Sequence, residues 1–212
     1  MDIVDPRIDA YMRERLARFD EPVLLEMEAE AEARDFPIVG RNVGVTLEVL
    51  ARAVKARRII ELGSGFGYSG YWFARVVGPD GELHLTDGDP ENEKKAMDGL
   101  GRVGLAGCVR FHVGDAVSTL RSLDGEFDII YNDIDKGGYP EAWREACERI
   151  RLGGLYICDN VLWSGRVPAD GEPPDRVTDA IREHNQLIAD DERYISTIVP
   201  TRDGVMVAVR MS

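Results

Sequence analysis

Ile59-Ile60-Glu61-Leu62-Gly63-Ser64-Gly65-Phe66-Gly67-Tyr68-Ser69-Gly70 carries the strongest structural signal in this chain. It opens as a short apolar run, the mark of a strand buried on both faces of a parallel sheet. It then breaks into alternating glycines and resumes as the apolar run Tyr71 to Val77, which reads as a helix. Strand, glycine turn and helix make the first half of a βαβ nucleotide-binding unit. Glycine suits that turn because a ligand must approach the backbone closely. Residues 65–70 match G-x-G-x-x-G literally, which would suit a dinucleotide and an NAD-type oxidoreductase. That pattern, however, begins several residues past the strand. At the strand end stands an acid, Glu61, which would repel a pyrophosphate and attract a cationic ligand. The sulfonium and amino group of S-adenosylmethionine (SAM) fit that description.

Outward from this stretch, apolar spacing divides the chain. Upstream, Asp5-Pro6 and Glu21-Pro22 each open a helix, and a third helix is expected over residues 43–55. These helices are placed to form a lid or a dimer face. Downstream, strands are expected at Glu82–Asp87, Val109–Val113, Phe127–Tyr131 and Leu155–Cys158, the last set up by a Gly153-Gly154 turn. Helices follow Asp89-Pro90 and run from Pro140 to Ile150 and from Asp175 to Ala189. Tyr194–Val199 and Val205–Val209, joined through Thr201-Arg202-Asp203-Gly204, read as a closing hairpin. Repeated β-α units ending in a hairpin imply an α/β fold, a mostly parallel sheet with helices on both faces and an antiparallel C-terminal pair.

Bulk properties narrow the function. A chain of 212 residues with 44% hydrophobic content suits one domain with a sizeable core. A net charge of −13 disfavours nucleic acid and anionic membranes as partners. Cys108, Cys147 and Cys158 lack metal or redox spacing, and Met1-Asp2-Ile3-Val4-Asp5 lacks the basic start of a secretory signal, so a cytoplasmic protein with reduced thiols is expected. No apolar run is long enough to span a bilayer.

In an open α/β sheet the ligand lies beyond the carboxyl ends of the strands. Acids crowd that rim: Glu61, Asp87, Asp115, Asp133, Asp135 and Asp159. Such a cluster would repel itself without a cation. Asp87 stands where an acid holds two ribose hydroxyls, and Asp89 is free to cap the next helix in its place. Asp115-Ala116 would fall at an adenine edge, or Asp115 is a simple helix cap. Asp133, Asp159 and Asn160 offer an all-oxygen set for Mg²⁺, Mn²⁺ or Ca²⁺. Flanked by such an ion and a cationic cofactor, the amine of Lys136 suits a base; the plain alternative is a surface lysine paired with Asp135. Trp163 could wall an acceptor pocket. His84 and His112 read as core residues within strands, and His184 as part of a polar helix turn.

Several motifs in combination resemble the cation-dependent class I O-methyltransferases, the group of catechol and caffeoyl-CoA O-methyltransferases. They are Glu61-Leu62-Gly63 with Gly67-Tyr68-Ser69, Asp133-Ile134-Asp135-Lys136 with Tyr139, and Asp159-Asn160-Val161-Leu162-Trp163-Ser164-Gly165-Arg166-Val167. Gly153-Gly154-Leu155, residues 180–185 and Asp203-Gly204 also fit. The resemblance implies a Rossmann-like seven-stranded sheet in one methyltransferase domain over residues 1–212, with a helical segment 1–57 and a core 58–212. It also implies a homodimer. It makes Val39, Glu61, Gly63 and Ser69 contacts to the methionine part of SAM, Gly67 and Tyr68 further cofactor-binding residues, Asp87 the ribose acid, and Asp115 and Ala116 neighbours of adenine. Asp133, itself beside the cofactor, would bind the metal with Asp159 and Asn160; Lys136 would be the base and Trp163 an acceptor contact. Phe66 stands where many relatives have threonine, Pro37 where methionine is frequent, and Asn132 where an apolar residue is common. The expected acceptor is a small aromatic with two adjacent hydroxyls. A modified tRNA base, acted on by some bacterial relatives, and a non-catalytic SAM-binding protein are the alternatives.

Overall fold

In the computed structural model, residues 3–169 and 175–212 are described; Met1 and Asp2 of the acidic N-terminal stretch lie outside them. Helix α1 (Pro6–Arg15) begins where Asp5 accepts the Arg7 N–H, with proline at its first position. This is the preorganised start that Asp-Pro encodes. Helices α2 (Pro22–Arg34) and α3 (Gly40–Ala53) follow. Apolar spacing alone expects α3 to start at Val43. It starts earlier because polar Arg41 is held inside by ion pairs to Glu28 (2.7 Å) and to Asp20, a contact that hydrophobic periodicity does not register.

From there strand and helix alternate: β1 (Arg58–Leu62), α4 (Tyr68–Val77), β2 (Glu82–Asp87), α5 (Pro90–Arg102), β3 (Val109–Val113) and α6 (Ala116–Ser122). Then come β4 (Phe127–Asn132), α7 (Tyr139–Ala146), β5 (Ile150–Cys158), α8 (Arg176–Ala189), β6 (Tyr194–Val199) and β7 (Val205–Arg210). The seven strands lie in the order β3-β2-β1-β4-β5-β7-β6. The first five pair in parallel, and β7 pairs antiparallel with both β5 and β6. The expected mixed α/β sheet is therefore present, with the hairpin at its edge.

Alternation along the strands sorts the core. Ile59, Leu83, Ile129 and Leu155 pack with α2, α3 and α4 on one face. Ile60, Leu62, Ile130 and Tyr156 pack with α6, α7 and α8 on the other. Each fully buried aliphatic side chain contributes about 1.5–3 kcal/mol. Among the described residues no helix is long and apolar enough to cross a membrane.

Two local expectations are corrected. The helix expected to reach Ile150 ends at Ala146, and Ile150 opens β5. Gly153-Gly154 lies inside that strand rather than before it. Phe127 pairs with Ile150 and Ile129 with Leu155, so β5 bulges between them, with Gly153 at φ 71°. A side chain at Gly154 would sit 2.8 Å from the Asp128 carbonyl oxygen. The glycines serve a bulge against β4, which local sequence cannot distinguish from a turn. His184 is likewise not on a polar turn: it is fully buried, 3.0 Å from the Tyr156 hydroxyl.

Candidate active site

The strand order reverses between β1 and β4, where a crevice must open beyond the strand ends. A cleft of about 810 Å³ lies there. Its floor begins at Gly63, whose φ of 82° and close approach exclude a side chain: a Cβ would lie 2.6 Å from the Asp133 carbonyl oxygen. Thr86 locks this corner, accepting the Gly63 N–H (3.1 Å) and donating to the Glu61 carbonyl (2.9 Å).

Glu61 is buried on β1, beneath the cleft rather than on its wall. Its Oε1 accepts the Ser69 hydroxyl, and its Oε2 is buried without a hydrogen-bond partner. Burial pushes the carboxyl up to about 8, helped by the charges of Asp133 and Asp87 and opposed by the Ser69 hydrogen bond. Val39, Tyr68, Ser69, Asp115 and Ala116 line the cleft. The Tyr68 hydroxyl donates to Glu28 of α2 (2.7 Å), tying the wall to the N-terminal helices. Gly67, at φ 88°, caps α4 and faces Ala96 of α5, not the cleft.

Asp87 also lines the cleft, held by the N–H groups of Gly65 (3.0 Å) and Asp89 (2.8 Å) and by Asn92 Nδ2 (3.0 Å). Asp89 caps α5, accepting the Glu91 N–H. Asp115 caps α6 through the Ser118 N–H (2.7 Å), so it is a helix cap that also borders the cleft.

The second half of the site stands at the ends of β4 and β5, which backbone bonds from Asp133 N–H to Leu62 (2.8 Å) and from Asp159 N–H to Asn132 (3.2 Å) keep in register. Asp133 accepts Lys136 Nζ at 2.8 Å. Lys136 is 16% exposed and is therefore not the surface lysine paired with Asp135. Asp159 is fully buried; its Oδ1 accepts the Asn160 N–H (2.8 Å) and its Oδ2 the Arg202 guanidinium (3.2 Å). Asn160 sits at φ 57° and donates through Nδ2 to Asp203 (3.4 Å). Burial raises both aspartates; Asp133 raises Asp159 further, while Lys136 and Arg202 oppose the rise. Asn160, Lys136 and Trp163 reach the same cleft, and the Trp163 Nε1 is buried without a partner. Among the described residues no cluster of three or more His, Cys, Asp or Glu is arranged to hold a metal; the oxygen set here is two carboxylates and one amide.

A family model described as O-methyltransferase matches residues 17–211. The chain belongs to the O-methyltransferase family. The catechol O-methyltransferase of Mycobacterium tuberculosis is 32% identical, over 92% of this chain and 89% of that protein. A second catechol O-methyltransferase, from Niastella koreensis, is 31% identical over 95% and 96%. The O-methyltransferase TomG from Streptomyces achromogenes, involved in tomaymycin synthesis and solved in complex with SAM, superposes with a TM-score of 0.81 at 30% identity, covering 91% of each chain.

For an O-methyltransferase, the cleft joins the sequence-read residues with several that the sequence left unmarked. Phe36 packs at a tilt of 55° against Phe66 (ring centroids 5.0 Å apart), and both line the cleft beside Gly65. Arg202 lies in the hairpin turn and reaches both Asp159 and the Ile38 carbonyl (2.9 Å). Only its position two residues before Gly204 could have flagged it, and that reads as ordinary turn chemistry.

Proposed function

We propose that this enzyme binds SAM along the cleft beyond β1 and β2 and methylates one of two adjacent hydroxyls of a small aromatic, such as a catechol or a caffeoyl-type phenol. In this reading a divalent cation is held by Asp133, Asp159 and Asn160. The observation that carries it is the meeting of two carboxylates, from the ends of β4 and β5, with Lys136 bonded to the first on the rim of the same cleft.

The cofactor half draws support from Glu61, whose partnerless Oε2 is suited to an ammonium group. Ser69 would orient that carboxylate. Asp87, fixed by three donors, keeps lone pairs for ribose hydroxyls. Val39, Gly63 and Tyr68 would shape the methionine end, with Asp115 and Ala116 beside the adenine. Bound there, SAM supplies the electrophilic methyl group.

On the acceptor half, the all-oxygen donors fit a hard ion, Mg²⁺, Mn²⁺ or Ca²⁺. Such an ion supplies Lewis-acid stabilisation of an acceptor oxygen and a template for two adjacent ones. A phenol is mostly protonated at neutral pH, with a pKa near 10, so a proton acceptor is needed. Lys136 would be that acceptor as the neutral amine, once the cation and the sulfonium beside it have driven off its own proton, and Asp133 holds Nζ at the rim. Trp163 gives the ring an apolar wall. Alignment of the attacking oxygen with the methyl group supplies much of the rest of the rate.

A small acceptor agrees with the net charge of −13, which opposes a polyanion. The same reading includes a cytoplasmic homodimer, which sedimentation velocity can measure. The deciding experiment is a methyl-transfer assay on 3,4-dihydroxy aromatics, their monohydroxy analogues and bulk tRNA, each with Mg²⁺ or excess chelator. Transfer to the dihydroxy compounds, lost in chelator, is expected. Full activity in chelator would remove the cation, equal rates on monohydroxy compounds would remove chelation, and methylation of tRNA alone would replace the acceptor.

A further inference from the structure

Two carboxylates and two side-chain cations balance one another at the acceptor end of the cleft. Lys136 sits on Asp133 at 2.8 Å and Arg202 on Asp159 at 3.2 Å. Asp159 is fully buried, and a buried carboxylate beside another needs a counter-charge. Arg202 provides it without depending on any other acid: its second nitrogen donates to the Ile38 carbonyl at 2.9 Å.

We propose that Arg202 is the resident counter-cation of the Asp133/Asp159/Asn160 site, that a divalent ion must displace it from Asp159, and that it thereby sets how tightly the protein holds that ion. This rests on the reading that the site takes a divalent cation. A doubly charged ion arriving among two carboxylates and two cations leaves excess positive charge, so one side-chain cation withdraws. Arg202 is the one with room to do so. Its side chain is 37% exposed against 16% for Lys136, and it borders a second cavity of about 450 Å³. That cavity is also lined by Asp9 and Asp203, acids that can receive a guanidinium.

Side-chain rotation alone suffices for the move, because the backbone of the turn is fastened independently. The Val161 and Leu162 N–H groups donate to the carbonyls of Gly204 (3.1 Å) and Asp203 (3.0 Å). Gly204, at φ 82°, packs against Leu162 with no space for a side chain. Leaving Asp159 also releases the tie to the Ile38 carbonyl, so ion binding and the anchoring of the loop between α2 and α3 oppose each other.

The test is calorimetric titration of Mn²⁺ into the cofactor-free full chain, comparing wild type with Arg202→Met and with Arg202→Gln, which keeps a hydrogen-bond donor without the charge. Both variants are expected to bind Mn²⁺ at least about tenfold more tightly than wild type, from removal of a neighbouring positive charge. In chelator both should melt below wild type, and saturating Mn²⁺ should close that gap. Equal or weaker Mn²⁺ binding by the variants overturns the proposal. If neither wild type nor variants bind Mn²⁺, the cation reading itself fails and this inference falls with it. Asp159→Asn, which removes the shared partner, should abolish Mn²⁺ binding in either background; retained binding would place the ion elsewhere and overturn the competition.

Discussion

Lys136, the proposed base, is held by hydrogen bonds to Asp133 and to the Ile134 carbonyl. Three residues past Asp133 and turned back onto it, the amine is placed at the cleft rim instead of in solvent. A proton acceptor acts in the transition state, so Lys136→Ala should lower kcat by about 10²–10⁴-fold while leaving SAM affinity nearly unchanged. Single-turnover kinetics with calorimetric SAM binding separates the two, and an unchanged chemical rate would strip Lys136 of that role. Glu61 makes a prediction of opposite character. Burial holds its carboxyl up to about 8, so at pH 7 it is mostly neutral in the cofactor-free protein. An ammonium at Oε2 requires the ionised form, so SAM binding at pH 7 should release close to one proton. Titrations in buffers of different ionisation enthalpy measure this. The release should vanish in Glu61→Gln, and its persistence there would assign the proton to another group.

At the scale of elements, α3 and α4 are joined through a glycine. Gly44 of α3 lies against the Trp72 indole of α4, and a Cβ there would overlap the ring. Trp72 is fully buried and packs edge-on to Phe19 (5.5 Å) and Tyr71 (5.3 Å), so the ring cannot retreat. Gly44→Ala gains helix propensity on paper, by roughly 1 kcal/mol. Overpacking a filled site costs about 1–3 kcal/mol, and with a rigid indole as the neighbour we expect the cost to win. A melting temperature several degrees below wild type is the expected result; a stabilised variant would mean that the helices separate easily. Because α3 also carries Arg41, bound to Glu28, the partner of Tyr68 on the cleft wall, loosening this contact should weaken SAM binding as well.

For the whole molecule, buried titratable groups pull stability in opposite directions with pH. His184 and His84 are each held down to about 4, chiefly by burial, so the unfolded chain binds protons that the folded one refuses between about 4 and 6.5. Their contribution is complete above 6.5 and is lost as pH falls toward 4, on the order of 3 kcal/mol for His184. Glu61, held up to about 8, and Asp159, also raised, act the other way: the folded chain keeps protons that the unfolded one has released. That contribution is complete at low pH and is lost as pH rises toward 8. The two effects offset each other below 6.5 and leave only the loss above it. Cofactor-free protein should therefore lose stability between pH 6.5 and 8, and Glu61→Gln should lose less. Denaturant melts across pH 5–9 check this; a profile rising through that window would refute the assignment.

The sequence by itself determined the order of strands and helices and the acids at the strand ends. These follow from spacing within a few residues: apolar alternation, glycine after a strand, Asp-Pro before a helix. It did not determine which acid meets which cation. Lys136 could as well have paired with Asp135, and only the turn after β4 directs it to Asp133. In sequence Ser69 reads as a hydroxyl for the cofactor, yet packing of α4 on β1 gives that hydroxyl to Glu61. Gly153-Gly154 reads locally as a turn and becomes a bulge only because β4 lies alongside. Arg202, 43 residues from Asp159, is brought onto it by the antiparallel return of β7 along β5. Contacts of that range depend on how layers pack around a core, and charge compensation in a buried site is settled there because the partners meet only once the sheet has formed.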